Sequence, residues 1–310
     1  MAQSVLSHGK VGCMPTTFYS TERAEMRSKK LSSDHLSKST LKRRGKMKLG
    51  RILAAASLVV ALACGTALAI PTSQTWIPST DAKGFKEATI DVINIARFSN
   101  AADAGPNYYG VGVVAGVLPF EAVKMEIGID YLTTGTKQRL DEYPIYFNAK
   151  LATAEDLGFK GMPAFAVGAY NLGTFDKPEI GLSTRQNIIY GLAAKTLPVV
   201  GRLSAGGYYG AKRALANGTN TVNTDMNSGV MVSWDRTMTE ISDKLWLGVD
   251  YMSGNNANGE ISAGVSWAFS KQITVLAGVQ IFNPFYNPSG GETIPGGKPA
   301  FTTQLFINLP

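Results

Sequence analysis

Four residues hold the side chains most often used for metal, redox and nucleophilic chemistry: Cys13, Cys64, His8 and His35. All of them precede residue 70, so the stretch from Ile70 to Pro310 has neither a thiol nor an imidazole. This excludes from that stretch Cys/His zinc sites, disulfides, haem attachment, cysteine nucleophiles and Ser–His or Asp–His pairs. Gly110, Gly112 and Gly116 resemble a dinucleotide loop, but one residue too many precedes the third glycine. The run then enters a proline turn, with no helix to meet a phosphate. No GxSxG, phosphate-loop or EF-hand pattern occurs. No cofactor, metal or enzymatic activity is expected.

What remains is a set of single charges set into apolar stretches: Asp91, Arg97, Lys124, Glu126, Asp130, Lys150, Lys195, Arg202, Asp235 and Asp250. Residues 122–132 show their setting best. Val123, Met125, Ile127, Ile129 and Tyr131 form one face, and Lys124, Glu126, Gly128 and Asp130 form the other. A period of two means a strand, with one face apolar and the other polar. Read this way, the ten charges share the polar face of a sheet and are candidates to line an interior. Gly128-Ile129-Asp130-Tyr131 recurs as Gly248-Val249-Asp250-Tyr251 120 residues later. The echo fits either a duplicated half or convergence of strands that put Gly and Asp inward and Tyr at an interface.

The net charge of +7 invites a nucleic-acid reading, but residues 1–69 hold 12 of the 30 basic residues and only 3 of the 23 acidic ones. The remainder is nearly neutral, and a nucleic-acid binder needs its basic face on the folded part. From Met47 the chain reads as a secretory signal. Lys48 and Arg51 precede the apolar run 52–63, and Ala67-Leu68-Ala69 predicts cleavage after Ala69. The alternatives are a transmembrane anchor and a lipoprotein signal at Cys64, which lacks Leu at position 61. Residues 1–46 are polar and without apolar period, as expected of a disordered extension or of a start placed upstream of Met47. The expected organisation is therefore 1–46 extension, 47–69 signal peptide, 70–86 N-terminal segment and 87–310 folded body.

Beyond residue 86 no helical period persists. Twelve alternating segments are predicted near 87–98, 108–118, 122–133, 143–153, 163–173, 186–197, 202–212, 228–237, 244–253, 260–269, 271–282 and 300–309. Their lengths suit tilted membrane strands. Short links follow the even strands, such as 119–121 and 198–201, and long Gly/Asn-rich links follow the odd ones, such as 213–227 and 283–299. Aromatics including Tyr108, Tyr131, Trp246 and Phe282 gather at strand ends, where interfacial girdles belong.

On these features the chain resembles Gram-negative outer-membrane β-barrel, porin-like proteins, by architecture and not by a family motif. The resemblance implies an all-β, antiparallel up-and-down transmembrane barrel of about 12 strands over 87–310, with the N-terminal segment 70–86 and both termini periplasmic. It implies outer-membrane lipid and lipopolysaccharide as surroundings, the barrel-assembly machinery as inserter, small solutes as cargo, and no nucleic acid. The ending, Phe306-Ile307-Asn308-Leu309-Pro310, departs from the terminal aromatic usual in such barrels. The function expected is an outer-membrane channel for small hydrophilic solutes by passive diffusion. The alternative is a non-conducting structural or partner-binding barrel.

Overall fold

The computed structural model describes residues 73–136, 139–177, 179, 182–215, 226–287 and 294–309. The predicted extension, signal peptide and cleavage site, with both cysteines and both histidines, lie outside the described residues, as do parts of the loops 213–227 and 283–299.

The described strands are β1 (Ala88–Arg97), β2 (Tyr108–Gly116), β3 (Val123–Thr133), β4 (Ile145–Thr153), β5 (Ala164–Gly173), β6 (Asp176–Lys177), β7 (Leu182–Ser183), β8 (Ile188–Leu197), β9 (Gly201–Tyr209), β10 (Ser228–Thr237), β11 (Leu245–Met252), β12 (Glu260–Ala268), β13 (Ile273–Phe282) and β14 (Ala300–Leu309). Each of the twelve predicted segments coincides with one long strand. Those twelve pair with their neighbours and β14 pairs back onto β1, giving a closed antiparallel barrel, while β6 and β7 form a small separate hairpin. Closure matters physically, because it leaves no strand edge with unpaired backbone groups. β1 starts and β14 ends at the end of the barrel that carries the short turns 198–200 and 269–272.

Alternation assigns the faces. On β3, Ile127, Ile129 and Tyr131 are 45–47% exposed and point outward, whereas Glu126 is 4% exposed and points in. Val111 and Val113, Phe165 and Val167, Val230 and Val232, and Val279 and Ile281 repeat the pattern around the wall. An outer surface this apolar is stable in hydrocarbon and not in water, so the barrel is of the membrane-spanning kind. At the short-turn end, Phe120, Phe159, Ile241 and Phe269 are exposed as well.

The interior differs from expectation at its N-terminal side. Residues 70–86 are expected in the periplasm, but the structure places the segment from Ser73 to Gly84 inside the barrel. Ile77 is fully buried against Ile188, Tyr190, Leu192, Tyr208, Leu215, Met231 and Met252. The reason is visible in the wall. Towards the long-loop end of β8, β9, β10 and β11 the inward positions, among them Ile188, Leu192, Met231 and Met252, are apolar and need an apolar partner, and Ile77 supplies it. This segment is called the strap below.

Candidate functional site

The strap is fixed by polar contacts along most of its length. Gln74 donates through Nε2 to Asp235 Oδ1 at 2.9 Å. The Trp76 backbone N–H donates to Asp250 Oδ2 at 2.9 Å, and its indole N–H donates to the carbonyl of Asn258 at 3.2 Å. Gln304 Nε2 donates to the carbonyl of Thr75 at 2.9 Å. Asp81 takes both its bonds from Arg202 Nη1, at 2.8 and 2.7 Å, while Arg202 Nε donates to Asp235 at 2.9 Å. Asp235 also accepts from the Trp246 indole at 3.2 Å, and Asp250 from the Ser262 hydroxyl. Thus Arg202, Asp235 and Asp250 are brought together as the strap's anchor. Their charges face the interior but are engaged by protein.

Towards the short-turn end the strap crosses the lumen. Phe85 bridges Gly116 in parallel, and the place where a Cβ on Gly116 would sit is already taken by the carbonyl of Gly84. Only glycine permits that approach. Beside the crossing, the Lys83 backbone N–H donates to Glu126 Oε2 at 2.8 Å and its ammonium to Asn308 Oδ1 at 2.9 Å. Glu126 pairs with Lys150 at 3.0 Å, both side chains being 5% exposed. Lys83, Glu126, Lys150 and Asn308 form a polar floor.

The other half of the lumen is not filled. A cavity of about 670 Å³ runs along the inner faces of β1–β5, between the strap and the wall. Its lining extends from Ala102, Gly105, Thr134 and Gly296 in the long loops to Thr89, Glu126 and Lys150 near the floor. Tyr108, Tyr146, Tyr170, Tyr190 and Trp76 contribute aromatic surface to it. Midway, Asp91, Gly112 and Asp130 stand in one register row across β1, β2 and β3. Carboxylate oxygens of both acids crowd the place a side chain on Gly112 would occupy. Asn148 donates to Asp130 Oδ2 at 2.7 Å, beside a β-bulge that shifts the register between β4 and β5.

Arg97 faces inward at the long-loop end. Its guanidinium donates to the carbonyls of Pro106, Lys298 and Gly296 and lies 4.4 Å from the Phe282 ring centre, joining the loops after β1 and β13. Lys298 pairs with Asp103 at 2.9 Å across the same loops and holds that carboxyl below its ordinary value by hydrogen bonding. Lys124 sits on the inward register of β3, two residues from Glu126 and opposite Ala152.

Lys195 is a correction. It is expected in the lumen, but the inward residues of β8 are Ile188, Tyr190, Leu192 and Ala194, so Lys195 has the opposite parity and lies opposite outward-facing Leu203. It bridges Glu155 at 3.0 Å and Asp156 at 2.8 Å in the turn between β4 and β5, outside the lumen. Its hydrogen bond is the main reason the Asp156 carboxyl lies below its usual value.

Sequence reasoning missed the strap residues Gln74, Thr75, Trp76, Ile77, Asp81 and Lys83, the cavity tyrosines, and Glu260. Glu260 is fully buried at the start of β12. Among the described residues neither of its carboxylate oxygens has a hydrogen-bond partner. The inward parity of Glu260 was readable from its strand. The strap gave no signal, because it has no period.

No protein-family model matches the chain, and no curated protein matches it. Among solved structures, an outer-membrane channel from Pseudomonas putida F1 is similar at a TM-score of 0.40 and 8% identity, over 74% of this chain and 96% of that one. The KdgM porin is similar at 0.39 and 8% identity, over 72% and 98% of the two chains. OmpF of Salmonella typhi, in complex with daunomycin, is similar at 0.33 and 9%, over 72% and 96%. On its own strands, this chain is a closed antiparallel membrane β-barrel with an apolar outside and an interior part polar, part apolar, crossed by the strap.

Proposed function

We propose that the chain is a narrow outer-membrane channel through which small hydrophilic solutes diffuse passively, and not an enzyme. The conduit is the free half of the lumen, beside a strap that stays in place. The observation that carries this reading is the cavity of about 670 Å³, which reaches from the long loops to Thr89 and Lys150 at the floor. At about 30 Å³ per molecule it holds on the order of twenty waters. The signal segment 47–69, cleaved after Ala69, would export the chain, and the barrel-assembly machinery would insert it with both termini in the periplasm. The long loops would then face outward among lipopolysaccharide.

The floor favours a second reading, a non-conducting structural barrel, because Lys83, Glu126, Lys150 and Asn308 meet across the exit. Planar-bilayer recording of purified protein separates the two. A small, stable unitary conductance in the wild type, and a larger one after deletion of 73–84, supports the channel. Heat-modifiable migration on gels verifies that the deleted protein is still a barrel. Silence from both proteins would select the structural barrel.

A further inference from the structure

The charged side chains that line the cavity are Asp91, Arg97, Asp103, Glu126, Asp130, Asp141 and Lys150. Most are engaged by protein. Glu126 is paired with Lys150, and Asp103 with Lys298. Arg97 is bonded to three backbone carbonyls. Asp141 accepts from Thr133 and from the backbone and hydroxyl of Thr134. Asp91 and Asp130 differ, since neither forms an ion pair with a described residue, and Asp130 accepts only the neutral amide of Asn148.

Their placement concentrates the charge. Gly112 between them has no side chain, so both carboxylates lean over the same spot on the cavity wall. The aromatic side chains of Tyr108, Tyr146, Tyr190 and Trp76 line the same cavity. A carboxylate pair in a confined, water-filled lumen with low-dielectric walls raises the local concentration of cations and repels anions. Aromatic faces add attraction for a cation and none for an anion.

Resting on the channel reading, we infer that the conduit selects cations, small organic ammonium ions included, and that Asp91 and Asp130 are the residues that set this preference. Asp250, whose sequence setting is the same as that of Asp130, has no part in it because the strap's backbone occupies its carboxylate.

Reversal potentials in potassium chloride and choline chloride gradients test the inference. The wild type is expected to pass potassium and choline in preference to chloride. Asp91→Asn combined with Asp130→Asn should lower the cation-to-anion permeability ratio at least about three-fold at 0.1 M salt, and less at 1 M, where screening shortens the reach of the charges. Asp91→Glu with Asp130→Glu should keep the wild-type preference, and Asp156→Asn, in the turn outside the lumen, should leave the ratio unchanged. Asparagine matches aspartate in shape, and heat-modifiable migration confirms that each variant is folded. A conducting wild type that prefers chloride, or a double asparagine variant with an unchanged ratio, overturns the cation inference and leaves the channel standing. An absence of conductance in every variant overturns the channel, and the inference with it.

Discussion

Arg202 and Lys195 each make two ion pairs, and comparing them isolates what burial does to such a contact. Arg202 holds Asp81 and Asp235 with a side chain 17% exposed, and Asp235 is only 8% exposed. Lys195 holds Glu155 and Asp156 at similar distances, but it is 29% exposed and Asp156 is 53% exposed. Removing one partner of a buried pair costs about 3–5 kcal/mol, whereas an exposed pair contributes about 0–1 kcal/mol. Arg202→Gln should therefore destabilise by about 3 kcal/mol, the low end, because the amide still donates one bond and Asp235 keeps Gln74 and Trp246. Lys195→Gln should cost less than about 1 kcal/mol.

Urea titration of the proteins in lipid vesicles, followed by tryptophan emission, measures both. Because Asp81 belongs to the strap, part of the Arg202 loss should emerge as local strap opening rather than global unfolding. It should raise the protease sensitivity of residues 73–87, with a larger and noisier conductance. Equal costs for the two variants would refute the reasoning from burial. A destabilised Arg202 variant whose strap stays as protease-resistant as the wild type would refute the anchoring role.

Three further outcomes are expected. Ile127→Arg places a charge on the lipid face and should cost roughly 2–4 kcal/mol near the midplane in the same titration; a neutral result would mean the register is off by one. Trp76→Ala removes an edge contact to Phe282 and the bond to Asn258. It should cost about 3 kcal/mol and raise protease access to the strap, and unchanged access would mean that Trp76 does not hold it. Asp103 sits below its ordinary carboxyl value because Lys298 donates to it, so the tie it makes is fully present above the unfolded carboxyl value and is lost as pH falls through the lower folded one. Cleavage in the loops 98–107 and 294–299 should therefore stay slow at neutral and mildly acid pH and accelerate only in strong acid; acceleration already near pH 6 would contradict the assignment.

The strands were legible because a membrane barrel enforces the pleat on every segment. One face of β3 must satisfy lipid and the other a polar lumen, so 123–133 states its own orientation. The segment 188–197 is less plain, and the reason is physical. Ile188, Ile189 and Tyr190 are consecutive apolar residues, since lipid covers Ile189 from outside while the strap's Ile77 covers Ile188 and Tyr190 from inside. With both faces apolar, the parity of Lys195 could not be read. The Gly-x-Asp-Tyr echo shows the other limit. The two copies predict the same inward aspartate, and both are near the lumen, yet Asp130 faces the cavity while Asp250 receives the backbone of Trp76. What separates them is a segment whose partners lie far along the chain.

That distance has a kinetic consequence. Thr75 meets Gln304 across 229 positions, Trp76 meets Asp250 across 174, and Gln74 meets Asp235 across 161. Contacts so remote in sequence form slowly, because the intervening chain must be gathered before any bond compensates for its lost freedom. The seam between β1 and β14 joins the first long strand to the last. Seating the strap and closing that seam are thus coupled events at the end of folding. Time-resolved folding into vesicles should show strand formation first and burial of Trp76 last. The part of the barrel nearest the start of the chain completes its environment only when the final strands arrive.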